Sequence, residues 1–289
     1  MSMRRWYLST SLRATTFCAG LVFLLLSTFS TTITVAGDST GNKADTSSGI
    51  KTPQIVFVGN TAFSSEKLLE LLSNGWPRWF TASGSINPNA PHEAADMLVA
   101  FYYDNGFLNV HVDQPRIASA ADRLTIGIDE GPLYRVGSIA IEGQLRFSRR
   151  EVESQLTMRS GQPFRGSTLQ RNVLALSDFY SDRGFAFVNV DPTTNMDSER
   201  HLVNARFFIK PGDQIHIDQI TISGNTTTPE HVIRAALQIH EHELYSARDF
   251  RESKARLDEL GLRTHITTEP STKSDEINVK VTVVEKSKI

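Results

Sequence analysis

The sequence predicts an α+β fold of three tandem β-α-α-β-β units, each with two helices packed on a three-stranded mixed sheet, behind an N-terminal export signal. Three observations predict it. Short apolar strands closed by a glycine turn recur at Gln54–Gly59, Gly137–Gly143 and Gln219–Gly224, and the turn residues Gly59, Gly143 and Gly224 lie 84 and 81 residues apart. A second glycine recurs in register as Tyr102-Tyr103-Asp104-Asn105-Gly106-Phe107, Phe179-Tyr180-Ser181-Asp182-Arg183-Gly184-Phe185 and Leu257-Asp258-Glu259-Leu260-Gly261-Leu262; Gly106, Gly184 and Gly261 are spaced by 78 and 77. A third mark, Asp129-Glu130-Gly131-Pro132, returns after 81 residues as Lys210-Pro211-Gly212-Asp213. Punctuation that keeps register over ~80 residues is the signature of a repeat array.

The N-terminus carries Arg4, Arg5 and Arg13 before an apolar core from Phe17 to Phe29, with a small-residue exit at Thr34-Val35-Ala36. That order reads as a signal peptide over residues 1–36. The rival reading is a transmembrane anchor, but a core of about 13 residues is short of the ~20 that span a bilayer. Cys18, the single cysteine, follows Phe17 and precedes most of the apolar core, which argues against lipidation. Removal of the signal leaves no thiol and a balance of 27 basic against 32 acidic residues. Cysteine-based catalysis, cysteine–zinc sites and iron–sulfur clusters are then excluded. A mildly acidic exported chain does not point to nucleic acid as a partner. Residues 37–52, built of Ser, Thr, Gly, Asp, Asn and Lys, read as a flexible linker.

The units are placed at 53–131, with an insertion at 75–92, at 132–212 and at 213–286. First helices are expected over Ser64–Leu72, Ser148–Leu156 and Thr228–Leu237. Ser148 with Glu151 has capping-box spacing, and Thr228 with Pro229 reads as N-cap and first helical residue. In the longer second helix of unit two, Leu169, Val173, Leu176 and Tyr180 share one face. Gly106, Gly184 and Gly261 follow those helices as left-handed stops. Two strands finish each unit. The first of each pair is expected over Leu108-Asn109-Val110-His111-Val112, Phe185-Ala186-Phe187-Val188-Asn189-Val190 and Leu262-Arg263-Thr264-His265-Ile266-Thr267. The second is expected over Arg123–Ile128, Leu202–Ile209 and Ile277–Val284, where alternating Val279, Val281 and Val283 mark a half-buried strand. A three-stranded sheet has edges, and nothing obvious in the sequence covers them.

Constellations that carry chemistry are sparse. His240-Glu241-His242 offers two imidazoles and acids but no convincing third ligand, and reads as a solvated turn. Trp76, Trp79 and Phe80 read as a cap on the first core, with an exposed aromatic patch as the alternative. Asn225-Thr226-Thr227 matches a glycosylation sequon but reads as the turn after a strand. Phosphate-cradling loops, nucleophile elbows and paired catalytic acids are not evident, so no enzyme, cofactor or metal is expected.

The stretches ITISGNTTTPEHVIRAAL with LYSARDFRESKARLDELG, DFYSDRGFAFVNV and AFYYDNGFLNVHV resemble POTRA domains of the outer-membrane insertase (BamA/TamA) superfamily. The resemblance covers about Gln54 to Glu285 and is weaker in unit one. It implies a periplasmic scaffold, associated with the outer membrane, that binds unfolded outer-membrane protein clients or a partner β-barrel. Its expected means is strand addition at the first strand after the helices. A barrel would follow the third unit in that superfamily, whereas this sequence stops at Ile289. Insertase activity is therefore not carried over. A stand-alone scaffold is expected, with a truncated insertase and an inner-membrane-anchored organiser of a complex such as the division machinery as alternatives.

Overall fold

A computed structural model describes residues 54–73, 90–114, 116–118 and 123–285. The expected signal over 1–36, the linker over 37–52 and Trp76, Trp79 and Phe80 lie outside the described residues. Most of the expected insertion at 75–92 does too, but Ala90, Pro91 and His92 already form the first turn of a helix.

The first unit comprises β1 (Gln54–Val58), α1 (Ser65–Ser73), α2 (Ala90–Tyr103), β2 (His111–Val112), β3 (Arg116–Ala118) and β4 (Arg123–Asp129). The second comprises β5 (Arg135–Gly143), α3 (Arg149–Ser154), α4 (Gly166–Ser181), β6 (Asn189–Asp197) and β7 (Leu202–Lys210). The third comprises β8 (His216–Ser223), α5 (Glu230–Ala236), α6 (Ala247–Glu259), β9 (Arg263–Pro270) and β10 (Glu276–Val284). In every unit the last strand is central, parallel to the first strand and antiparallel to the strand after the helices. The sheets run β1-β4-β2, β5-β7-β6 and β8-β10-β9. Unit one departs from the three-stranded expectation because its outer strand is split in two, with β3 also pairing β4.

The central position follows from the side chains. Val203, Ala205, Phe207 and Ile209 in β7, and Ile277, Val279, Val281 and Val283 in β10, are buried at alternate positions. Alternate residues of a strand share one face, and that face packs under the unit's own helices. Three separate cores result, one per unit. Burying one such side chain fully contributes ~1.5–3 kcal/mol. Cores of neighbouring units touch reciprocally: Leu133 packs on the first core and Leu108 on the second.

Helix starts agree with local chemistry in one case and not in another. The Ser148–Glu151 capping box forms, with Glu151 N donating to Ser148 Oγ at 3.3 Å and Ser148 N to Glu151 Oε2 at 3.0 Å. Thr228 is not the N-cap of α5; Pro229 takes that position and the helix begins at Glu230. The reason lies far along the chain. Glu285, just past β10, accepts from Thr228 N at 2.7 Å, Thr227 N at 2.9 Å and the hydroxyls of Thr226 and Thr227 at 2.6 and 2.7 Å. It fixes the turn after Gly224 and holds Thr228 outside the helix.

Glu130 does the same in unit one. Buried just past β4, it accepts from Ala62 N at 2.9 Å, from Tyr102 Oη at 2.9 Å and from the Thr61 hydroxyl. Burial, together with the bond to Glu130, pushes the Tyr102 phenol well above its ordinary range. In unit two Pro211 occupies the equivalent position, so buried Tyr180 lacks the carboxylate acceptor that Tyr102 has. All six punctuating glycines take positive φ, and Gly143 shows why. At φ +103 its Cβ would stand 2.2 Å from Ile209 O on the neighbouring strand, so no side chain fits there.

Hydrogen bonds from Thr226, Thr227 and Thr228 hold the Glu285 carboxyl far below its ordinary value of 4.5. A carboxyl depressed in the folded state adds stability that is complete above its unfolded value and is lost as pH falls toward the folded one. The third unit should therefore unfold more readily as pH drops below about 4.5, and Glu285→Gln should flatten that dependence in pH-resolved thermal melts. Glu130→Ala strands the buried Tyr102 hydroxyl and frees the Ala62 N–H, and should cost the first unit about 3 kcal/mol, read from its transition in urea.

Candidate functional site

Each sheet has two edges, and in units two and three the fold treats them differently. The outer edge of β5 is covered at its start by the segment joining α3 to α4: Val136 N donates to Gln162 O at 2.8 Å, Gly161 N to Val136 O at 2.8 Å and Phe164 N to Tyr134 O at 3.0 Å. In unit three the segment joining α5 to α6 covers β8 in the same way. Ile217 N donates to Glu243 O at 2.9 Å, His242 N to Ile217 O at 2.6 Å and Tyr245 N to Ile215 O at 2.8 Å.

Side chains continue the cover. Glu241 Oε1 accepts from Ile220 N at 2.9 Å, and Arg234 Nη2 donates to Ile220 O at 3.1 Å. Arg149 Nη1 reaches Ile141 O at 3.4 Å in unit two. Glu241, the acid of the His240-Glu241-His242 cluster, is thus an edge cap. His240 Nδ1 lies 3.1 Å from Glu243 Oε2, and His242 turns the chain at φ +69. Among the described residues no group of His, Cys, Asp and Glu is placed to hold a metal ion.

The opposite edges, β6 and β9, carry no such cover among the described residues. Antiparallel strands alternate residues that bond the partner with residues that face away. Ile209 O accepts from Gln144 N on the β5 side at 3.1 Å. Its register partners on β6, Val190 and by alternation Pro192, Thr194 and Met196, therefore direct their backbone groups outward. In unit three Asp275 O accepts from His216 N at 2.9 Å, which by the same alternation turns Thr264, Ile266, Thr268 and Pro270 of β9 outward.

The two open edges are not equal. Pro192 has no N–H, so the outward row of β6 is interrupted in its middle, as edge prolines do to block pairing. On β9 three successive outward residues, Thr264, Ile266 and Thr268, each keep donor and acceptor, and the proline comes only at the end. Unit one offers just His111 and Val112 before its edge breaks.

The expected strand limits need correction. Phe185-Ala186-Phe187-Val188 are a turn, and only Asn189 and Val190 of that run lie in β6. Phe185 N donates to Tyr180 O and Val188 N to Phe185 O, each at 3.2 Å, while the Phe185 ring fills the core. Its apolar character serves the helix stop, not a strand. Leu108, Asn109 and Val110 form the matching turn in unit one, leaving only His111 and Val112 in β2. Leu262 is the buried residue after the α6 stop, whereas Arg263, Thr264, His265, Ile266 and Thr267 do lie in β9. Thr268 and the run Asp191–Asp197 were not expected in strands; a proline inside a polar run matching β7 in length is the signal that marks them.

Comparison with known proteins decides the family. The profile of POTRA, the surface antigen variable number repeat, matches residues 51–131, 134–212 and 215–286. The chain belongs to the POTRA family. Among curated proteins these POTRA units are 27% identical over 227 residues to the outer membrane protein assembly factor BamA of Neisseria meningitidis and 24% identical over 228 residues to that of Nitratidesulfovibrio vulgaris. Those alignments cover 75% and 76% of this chain but only 28% and 29% of the relatives, so the chain spans less than a third of their length. The crystal structure of Haemophilus influenzae BamA POTRA3-5 has a similar fold, with a TM-score of 0.57 at 20% identity over 81% of this chain and 96% of that one.

Replacing the interrupting proline should open the second POTRA edge. Pro192→Thr is expected to leave the fold intact and increase edge-to-edge self-association, measured by sedimentation at rising concentration.

Proposed function

We propose that this chain is a non-catalytic periplasmic scaffold, associated with the outer membrane, that acts in outer-membrane protein assembly or secretion. It binds extended polypeptide, from unfolded clients or a partner β-barrel, by adding a strand to an open POTRA sheet edge. The observation that carries the reading is the uninterrupted outward row of Thr264, Ile266 and Thr268 on β9, opposite a β8 edge that the chain covers itself. Strand addition takes its affinity from backbone hydrogen bonds and is tolerant of client sequence, as a carrier of many clients requires. The similarity to outer membrane protein assembly factors supports the setting.

Thr268 is exposed and its N–H faces outward, so a proline there removes a donor from the edge without breaking a bond to β10. Thr268→Pro should weaken binding of a synthetic β-hairpin-forming peptide about tenfold, the equivalent of one to two hydrogen bonds. Unchanged affinity, measured by fluorescence anisotropy on a variant with native thermal stability, would contradict strand addition at β9.

A further inference from the structure

Both junctions in the chain share two hydrogen-bonded contacts, and in each an apolar side chain of the next unit adds a third, from ahead of β5 at the first junction and from between α5 and α6 at the second. The glycine that stops the second helix offers its carbonyl to the next unit: Gly106 O accepts from Tyr134 N, and Gly184 O from Ile215 N, each at 2.8 Å. The acid two positions earlier caps the next unit's second helix. Asp104 Oδ1 accepts from Ser167 N at 2.8 Å and its Oδ2 takes the Ser167 hydroxyl at 2.8 Å, while Asp182 Oδ1 accepts from Arg248 N at 2.7 Å. Ser167 and Arg248 are each the second residue of their helix, where the N–H has no intrahelical partner. A carboxylate there also meets the positive end of the helix dipole. Finally, an apolar side chain closes over the glycine. A Cβ on Gly106 would come within 2.8 Å of Leu133 Cδ1, and one on Gly184 within 3.0 Å of Leu244 Cδ2.

The third unit repeats the acceptors, and among the described residues nothing lies on them. Its register is fixed by the same helix stop, since Leu262 N donates to Leu257 O as Phe107 N does to Tyr102 O and Phe185 N to Tyr180 O. Glu259 therefore stands where Asp104 and Asp182 stand. Among the described residues Glu259 has no hydrogen-bond or ion-pair partner, and nothing lies within 4 Å of a Cβ built on Gly261. Between them, Leu260 is 52% exposed. In the earlier units that position holds Asn105 and Arg183, which bond back to Phe101 O and Phe179 O of their own helices. Leucine can make no such bond and leaves an apolar side chain standing beside two empty acceptors.

We infer that this end of the third unit is a docking surface for a further unit of the same architecture, received through Glu259, the Gly261 carbonyl and Leu260. Both occupied examples of the surface say what covers it. The incoming unit supplies the second N–H of its longer helix to Glu259 and the N–H ahead of its first strand to Gly261. It supplies an apolar side chain, as Leu133 and Leu244 are supplied, to the glycine and Leu260. The surface lies at the helix stop just ahead of β9, uses the Glu259 carboxylate and the Gly261 carbonyl and not the outward backbone row of Thr264, Ile266 and Thr268, and does not depend on strand addition.

Repeating residues 212–285 directly after Glu285 in the full chain presents such a unit to the surface. Amide hydrogen exchange of the repeated Arg248 then reports docking, with the natural Arg248 amide as reference and Asp182→Lys giving the uncapped rate. The expected result is protection of the repeated amide equal to the reference, lost about tenfold or more with Glu259→Lys and kept with Glu259→Asp. Exchange at the uncapped rate with Glu259 intact would overturn the inference, as would protection that survives Glu259→Lys. Failure of the appended unit to fold, read from its repeated β10 amides, counts against it too, because the same residues fold when received by unit two.

Discussion

A sheet of three strands leaves two rows of backbone N–H and C=O groups without strand partners, and such groups must bond something. The units treat their two edges in opposite ways. Along β5 and β8 the chain folds its own inter-helix segment against the edge and finishes with Glu241, Arg234 and Arg149 side chains. Along β6 and β9 it leaves the row to solvent. This asymmetry determines what the rest of the molecule can do, because in units two and three one edge of the sheet is already occupied and the other is available.

Availability is then graded from unit to unit by small sequence choices. The break between β2 and β3 shortens the first edge, and Pro192 interrupts the second. Among the described residues only β9 keeps a row long enough for several consecutive backbone bonds. A scaffold with three fully open edges would pair with copies of itself, so grading the edges restrains aggregation while preserving one point of capture.

The parts of this arrangement legible in the sequence are the local ones. Glycines at fixed spacing announced the repeat, and Ser148 with Glu151 announced a helix start, because each acts within a few residues of itself. The alternating valines of β10 announced a central strand because burial on one face imposes that period. The outer strand of unit two was misplaced, since Phe185 and Phe187 looked like strand residues while Asp191-Pro192-Thr193-Thr194-Asn195 did not. That strand is held by pairing with β7 along nine residues, and tertiary pairing overrides weak local preference. Glu130 and Glu285 were invisible for a related reason: their partners lie 68 and 58 residues away and give no local pattern. The edge caps Glu241 and Arg234 were read only as members of a polar turn and a helix.

Scaffold function by strand addition depends on the β9 edge being the place where extended polypeptide is held. The most direct measurement is the set of intermolecular NMR contacts between an isotope-labelled extended peptide and the chain. Cross-strand contacts from the peptide backbone to Thr264, Ile266 and Thr268, with their amides slowed in exchange, are the result this account requires. Contacts confined to helix surfaces or to the outer edge of β8, with those three amides still exchanging freely with water, would contradict it.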